Sequence, residues 1–381
     1  MTTLQDVVDD QVRAGRVPGA VALVADVGTG GVEVATAGGR TIGGSAMTRD
    51  TVFRIASLTK PIVAAATMAL VDRGRLGLDD PVATWLPELA DPMVLRSVDA
   101  PLDDVVPAVR PITVRHLLAF QGGHGFPSDF SVPVVQHLFA EGLQGPPRPQ
   151  ESLPTDEWIA AMGRVPLVHQ PGEGWTYNTG SDLLGVLLAR AEGSTLAEVL
   201  DDTVLGPLGM VDTAFHARPD AVGRMPTQYR RAAAGGLEAI DPPDGQWAAP
   251  PPFPSGAGGL VSTVDDWLAF GRMLLAGGAG PGGEPVLSAE AVRLMTTVHA
   301  EAEPDSPFLQ GEGWGFGGSV DLTERQPWNV PGRYGWTGGT GTAGYVVPSR
   351  GLVTIWMGQV EMAGPDDFSA LAAFLTWAAG R

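Results

Sequence analysis

The segment Ser57-Leu58-Thr59-Lys60 sets a hydroxyl and an amine three residues apart, a spacing that puts both on one face of a helix. A serine at a helix start sits at the positive end of the macrodipole, which favours an alkoxide. A neutral lysine beside it can accept the serine proton and so create a nucleophile. Lys60 is the only lysine among 24 basic residues, the rest being arginines. Arginine stays protonated in proteins, whereas a buried lysine can lose its proton. The single lysine is therefore a candidate for work that arginine cannot do. Lowering its pKa from about 10.4 to about 7 takes desolvation on the order of 4.6 kcal/mol. The apolar run Ile62-Val63-Ala64-Ala65-Ala66 that follows is a setting that can impose it. The alternative is a serine N-cap next to a solvated lysine.

Two further segments place polar groups where chemistry is feasible. Pro171-Gly172-Glu173-Gly174-Trp175 leads into Tyr177-Asn178-Thr179-Gly180-Ser181-Asp182-Leu183-Leu184-Gly185. A half-exposed tyrosine at a loop–helix junction can act as an acid or base; a core tyrosine with a satisfied hydroxyl is the commoner case. In Tyr334-Gly335-Trp336-Thr337-Gly338-Gly339-Thr340-Gly341-Thr342, the glycines let backbone N–H groups approach a ligand closely. Residues 339–344 also fit G-x-G-x-x-G, but that fingerprint must open a helix, and here it runs into Tyr345-Val346-Val347-Pro348. Dinucleotide binding is rejected, and a plain hairpin turn is the remaining alternative.

The elements that must carry these groups follow from periodicity. Helical spacing covers residues 3–15, from Ser57 to Gly74, and the regions 113–119, 155–163, 181–192, 195–204, 263–276, 288–298 and 366–379. Strand-like runs are Ala20–Ala25, Gly31–Ala37, Tyr345–Val347 and Leu352–Met357. Strands thus lie at both ends of the chain and helices in the middle. The expected fold is α/β (α+β): an antiparallel sheet flanked by terminal helices, with an inserted, mostly helical domain. The expected division is 1–75 with 255–381 for the sheet domain and 76–254 for the insertion. Pro-rich loops at 145–154 and 242–254 are expected to shape the pocket, with Phe126, Trp247 and Phe253 as candidate lining residues.

Composition removes other chemistries. The 381 residues carry 24 basic and 43 acidic side chains, a net charge of −19, the wrong sign for clustered phosphate contacts with nucleic acid. Hydrophobic residues at 44% and charged residues at 18% exclude disorder. With no cysteine there is no disulfide, thiol nucleophile or thiolate-bound metal. No G-x-S-x-G elbow, H-E-x-x-H pair or Walker motif occurs, and the six histidines are scattered. Residues 1–6 show neither a basic n-region nor an apolar h-region, and no apolar run is long enough for a membrane span. A cytoplasmic protein is expected, with no metal or organic cofactor and no nucleic-acid or membrane partner.

Taken together, these segments resemble the serine β-lactamase/penicillin-binding-protein superfamily. They are most similar to its class C-like branch with the family VIII carboxylesterases and related acyltransferases. The resemblance also rests on Val17-Pro18-Gly19-Ala20, Phe53-Arg54-Ile55-Ala56, Ile112-Thr113-Val114-Arg115-His116-Leu117-Leu118, Pro207-Leu208-Gly209-Met210 and Gly258-Gly259-Leu260-Val261-Ser262-Thr263, in that family's order. It implies that Ser57 is the nucleophile, Lys60 its S-x-x-K partner and Tyr177 the tyrosine of the second motif. Trp336-Thr337-Gly338 occupies the place of K-T-G or H-x-G. The resemblance further implies an oxyanion hole built from the backbone N–H groups of Ser57 and Gly339.

Two departures bear on substrate. The family's Y-x-N or S-x-N pattern is shifted, because Asn178 directly follows Tyr177 and Thr179 holds the next place. Trp336 stands where a cation would pair with a carboxylate; it offers a neutral acyl group an apolar wall instead. Arg333 or Arg230 are candidates to supply the missing cation. The resulting expectation is a serine hydrolase acting on a small-molecule ester through an acyl-enzyme, with Asn178, Trp336, Thr337 and Gly338 lining the substrate site. A β-lactamase or D-amino-acid-specific peptidase is the alternative on the same fold, and an inactive binding protein is the other.

Overall fold

The computed structural model describes residues 2–302 and 306–381. The first helix, α1 (Leu4–Arg13), begins at a capping box in which Thr3 and Asp6 satisfy each other's backbone N–H groups. The chain then forms β1 (Gly19–Asp26) and β2 (Gly31–Gly38). Five more strands come from the C-terminal part: β3 (Glu312–Trp314), β4 (Ser319–Asp321), β5 (Tyr334–Gly338), β6 (Thr342–Val347) and β7 (Leu352–Gly358). They make one antiparallel sheet in the order β2-β1-β7-β6-β5-β4-β3. β1 and β7 pair inside it, with Leu23 opposite Ile355 and Ala22 opposite Trp356.

Alternation along β1 feeds two cores. Ala20, Ala22 and Val24 face a cluster with Leu4, Val8, Trp356 and Phe374, drawn from α1 and the terminal helix α5 (Ala372–Ala379). Val21, Leu23 and Ala25 face the larger cluster. That cluster includes Ile62 and Val63 of α2 (Thr59–Asp72) and Trp267 and Phe270 of α4 (Val264–Leu275). The middle of the chain is mostly short helices around α3 (Thr179–Glu192), with two small ribbons at 93–107 and 228–241. Within α2, every residue from Thr59 to Leu70 is buried, so the helix that follows Ser57 runs through the interior. Among the described residues no helix is long and apolar enough to cross a membrane.

The structure departs from the periodicity in several places. The helix Pro133–Ala140 and the ribbons at 93–107 and 228–241 have no counterpart in the expected elements, and two further differences lie near the sheet. The helix expected over 366–379 forms only from Ala372. Before it, the Asp367 carboxylate accepts from the N–H groups of Ala363 and Ser369, a local bonding pattern that competes with a helix start. The strands β3, β4 and β5 carry no strand-like run. They are short and interleaved with Gly313, Gly315, Gly317, Gly318 and Gly335, which lower β propensity and blur alternation. The glycine-rich stretch after Trp336 is the turn of the β5–β6 hairpin, with Gly341 N–H bonded to Gly338 O.

Candidate active site

Ser57 sits in the middle of a 3₁₀ turn, Ala56–Leu58, immediately before α2. The N–H groups in the first turn of a helix have no intrahelical partner, so the Ser57 amide is free to face a ligand. Ala56, just before the nucleophile candidate, has φ +42°. A non-glycine residue there stores backbone strain of the kind found at sites the surrounding fold over-determines.

Lys60 follows one turn later and is fully buried. Its Nζ donates to Ser57 Oγ (2.9 Å), Asn178 Oδ1 (2.7 Å) and Ala257 O (2.6 Å). It also lies 4.7 Å from the centre of the Tyr177 ring. Burial drives its pKa down to about 7, partly opposed by the negative charge of Asp182. Tyr177 is only 7% exposed, not half-exposed. Burial raises its phenol to about 12 against the pull of hydrogen bonds with Ser57 and Trp336. The Trp336 indole N–H donates to the Tyr177 oxygen at 2.6 Å. Trp336 is therefore more than an apolar wall: it supplies a neutral donor where a cation was expected.

Asn178 carries φ +84° and ψ −67°, and Thr179 N–H bonds back to Tyr177 O. This tight three-residue turn is strained, and it delivers the Asn178 side chain to Lys60. Sequence reasoning assigned Asn178 to substrate contact; it lines the cavity, but its carbonyl oxygen is held by the lysine.

The hairpin turn meets the Ser57 segment at close range. Thr340 Oγ1 donates to Arg54 O (2.5 Å) and Thr342 Oγ1 to Ile55 O (3.1 Å). A Cβ on Gly338 would collide with Ile55 O and Thr342 Oγ1, whereas one on Gly339 would meet open space. The turn thus places Gly339 beside Ser57 on the wall of one cavity of about 510 Å³. Phe126, Phe130, Phe253, Trp247 and Phe308 line it, together with Tyr177, Trp336 and Thr337. The aromatics expected from sequence are there, as are the Pro-rich loops, which contribute Pro146 to Pro149 and Phe253.

Neither arginine proposed as a substitute cation reaches the cavity. Arg333 is buried against Asp321 (2.9 Å) and packs over the Tyr345 ring. Arg230 pairs with Glu238 at the surface. Among the described residues, Arg148 is the basic side chain on the cavity wall, and it pairs with Glu151 at 3.4 Å.

Gln144, Ser255 and Ala257 escaped the sequence reading, and Asp182 was named there without a role in the site. Asp182 lies in the first turn of α3, fully buried. Its carboxylate accepts from Gln144 Nε2 (3.0 Å), Ser255 Oγ (2.6 Å) and Ala257 N (3.0 Å). The signal was present in one case: a lone acid heading the apolar run Leu183-Leu184-Gly185-Val186-Leu187-Leu188 must be buried and partnered. Loop residues Gln144, Ser255 and Ala257 carry no comparable mark.

The β-lactamase family model matches residues 4–373. The chain belongs to the beta-lactamase family. Among its relatives, protein Rv1367c of Mycobacterium tuberculosis is 40% identical over 83% of this chain and 79% of its own. Esterase EstB of Burkholderia gladioli is 33% identical over 95% of this chain and 92% of its own. The solved structure of EstCE1, described as a hydrolase with promiscuous acyltransferase activity, has the same fold. It superposes with a TM-score of 0.78 and 24% identity, covering 98% of this chain and 97% of its own. The beta-lactamase family, with relatives named as esterases, is the one the motifs pointed to.

Proposed function

We propose that the protein is a serine carboxylesterase that acts on small esters through an acyl-enzyme, with acyl transfer to an alcohol as a variant of its second step. One observation carries the reading: Lys60 Nζ lies 2.9 Å from Ser57 Oγ in a buried position. Asn178 Oδ1 and Ala257 O can only accept, so they hold two N–H bonds of the amine. In the neutral amine, the lone pair is then left for the Ser57 proton.

In the first step, Ser57 Oγ bonds to the ester carbonyl carbon, its proton passes to Lys60 and the carbonyl electron pair moves to oxygen. The N–H groups of Ser57 and Gly339 hold that oxyanion, each such donor contributing about 2.7–4 kcal/mol. Collapse of the intermediate breaks the ester C–O bond, and the proton returns from Lys60 through the Tyr177 hydroxyl to the leaving alcohol. With the amine at about 7 and the phenol at about 12, Lys60 accepts at neutral pH and Tyr177 relays. Water then attacks the acyl-enzyme with the same groups in reversed roles. Because the neutral amine is the active form, acylation rises as pH climbs through about 7 and levels off above it.

The names of EstB and EstCE1 support ester chemistry, as do the aromatic walls and Trp336 in the place of a cation. One observation favours the β-lactamase or peptidase reading: Arg148 on the cavity wall could meet a carboxylate. The two readings part in a panel of p-nitrophenyl esters of increasing acyl length run beside nitrocefin. Ester turnover is expected to dominate, and nitrocefin turnover far above it would replace the esterase reading. A fluorophosphonate probe that failed to label Ser57 would point to the inactive binding protein.

A further inference from the structure

We propose that Asp182 is a positioning residue whose carboxylate fixes the polarity of the hydrogen-bond chain Asp182–Gln144–Asn178–Lys60, and so aims the Lys60 lone pair at Ser57. The inference rests on the reading of Lys60 as proton acceptor. An amide side chain has one donating and one accepting end, and either can face a neighbour. An ionised carboxylate only accepts. Asp182 Oδ2 takes a hydrogen from Gln144 Nε2, which forces Gln144 Oε1 toward Asn178. Asn178 Nδ2 donates to that oxygen, which leaves Asn178 Oδ1 as the atom facing Lys60. Reversing the first link reverses all of them.

A second arm starts from the other carboxylate oxygen. Ser255 Oγ and Ala257 N both donate to Asp182 Oδ1. With its N–H held this way, Ala257 directs its carbonyl oxygen to Lys60. Ser255 Oγ also accepts from Gly258 N, so its own proton is committed to the carboxylate. Burial pushes the Asp182 carboxyl above the usual carboxylate range, and three donors converging on its two oxygens, with Lys60 opposite, pull the other way and favour the ionised acid. The N-terminal turn of α3 adds the favourable end of the helix dipole. Both acceptors that restrain Lys60 therefore trace back to one buried acid, which faces Lys60 as its counter-charge while Tyr177 covers the amine from the other side.

The test is Asp182→Asn, which keeps shape and removes only the fixed polarity. Its amide nitrogen toward Gln144 turns the chain over, so that Asn178 Nδ2 faces Lys60 and draws the lone pair away from Ser57. Single-turnover acylation by p-nitrophenyl acetate is expected to fall about 100-fold on the high-pH plateau, the lower range for loss of a general base. The acid limb of its pH profile moves below its wild-type position, because the ammonium loses both its counter-charge and an acceptor. Gln144→Met breaks the same chain without touching the acid and should lower the plateau with a smaller shift of the limb; it decides the matter if Asp182→Asn does not fold. A purely structural role would lower the melting temperature and leave the limb in place. Folded variants with the wild-type plateau and limb would overturn the proposal. Full activity in Lys60→Met would instead overturn the assignment of the lysine, a separate result.

Discussion

Replacing Lys60 by arginine separates charge from titratability. The guanidinium keeps the positive charge but cannot give up its proton at any pH the protein withstands. Ester turnover in Lys60→Arg is therefore expected to fall as far as in Ser57→Ala, roughly 10²–10⁴-fold. Steady-state kinetics on p-nitrophenyl esters checks this, and retention of most activity would remove Lys60 from the role of proton acceptor. At this scale Ser57 and Lys60 were legible because their relation is local: three residues on one helical turn. Gln144 and Asp182 were not, because what matters about them is a contact across 38 positions that neither side chain advertises. Asn178 was legible as a site residue, but its bond to Lys60 was not, since its strained turn, with φ +84°, is set by the packing around it.

At the scale of elements, the decisive contact is between the β5–β6 turn and the segment entering α2. Two threonine hydroxyls tie the turn to Arg54 O and Ile55 O, and the gap between them admits no side chain at Gly338. Gly338→Ala should push the turn away from Ile55 and pull the Gly339 N–H out of the oxyanion site. The expected loss in kcat is about 100–1000-fold, the range for one missing oxyanion donor. Gly339→Ala, whose methyl would enter open space, should keep most of the activity. Comparable loss in both variants would mean that the turn's position does not govern the reaction. The sequence marked this region as glycine-rich and correctly not helical. It did not reveal β5, because a strand of Tyr-Gly-Trp-Thr-Gly, buried along its whole length, shows no alternation of apolar and polar residues.

Over the whole molecule, three stretches converge on one amine, the 57–60 turn, the 177–182 junction and the 255–257 loop, while the 336–339 hairpin closes on Tyr177 and the Arg54–Ile55 backbone beside it. None encloses Lys60 alone; its desolvation is a collective property of α2 lying beneath the sheet and beside α3. This is why residue patterns identified the participants while only packing established their burial. The arrangement has a thermodynamic consequence. With a folded pKa of about 7 against 10.5 unfolded, the unfolded chain holds the proton over that window. Lys60 thus weighs against folding by on the order of 5 kcal/mol below pH 7, a burden that lifts as pH rises toward 10.5. The fold tolerates this because its two cores are large, and the site gains a base that is half neutral at physiological pH. A chain with a single lysine allows the point to be read directly. Protein labelled with ¹³C at lysine Cε gives one side-chain signal with no need for assignment, and its shift can be followed from pH 5 to 11. The account predicts a single transition near pH 7; a transition near 10.5, where a solvated lysine titrates, would contradict it.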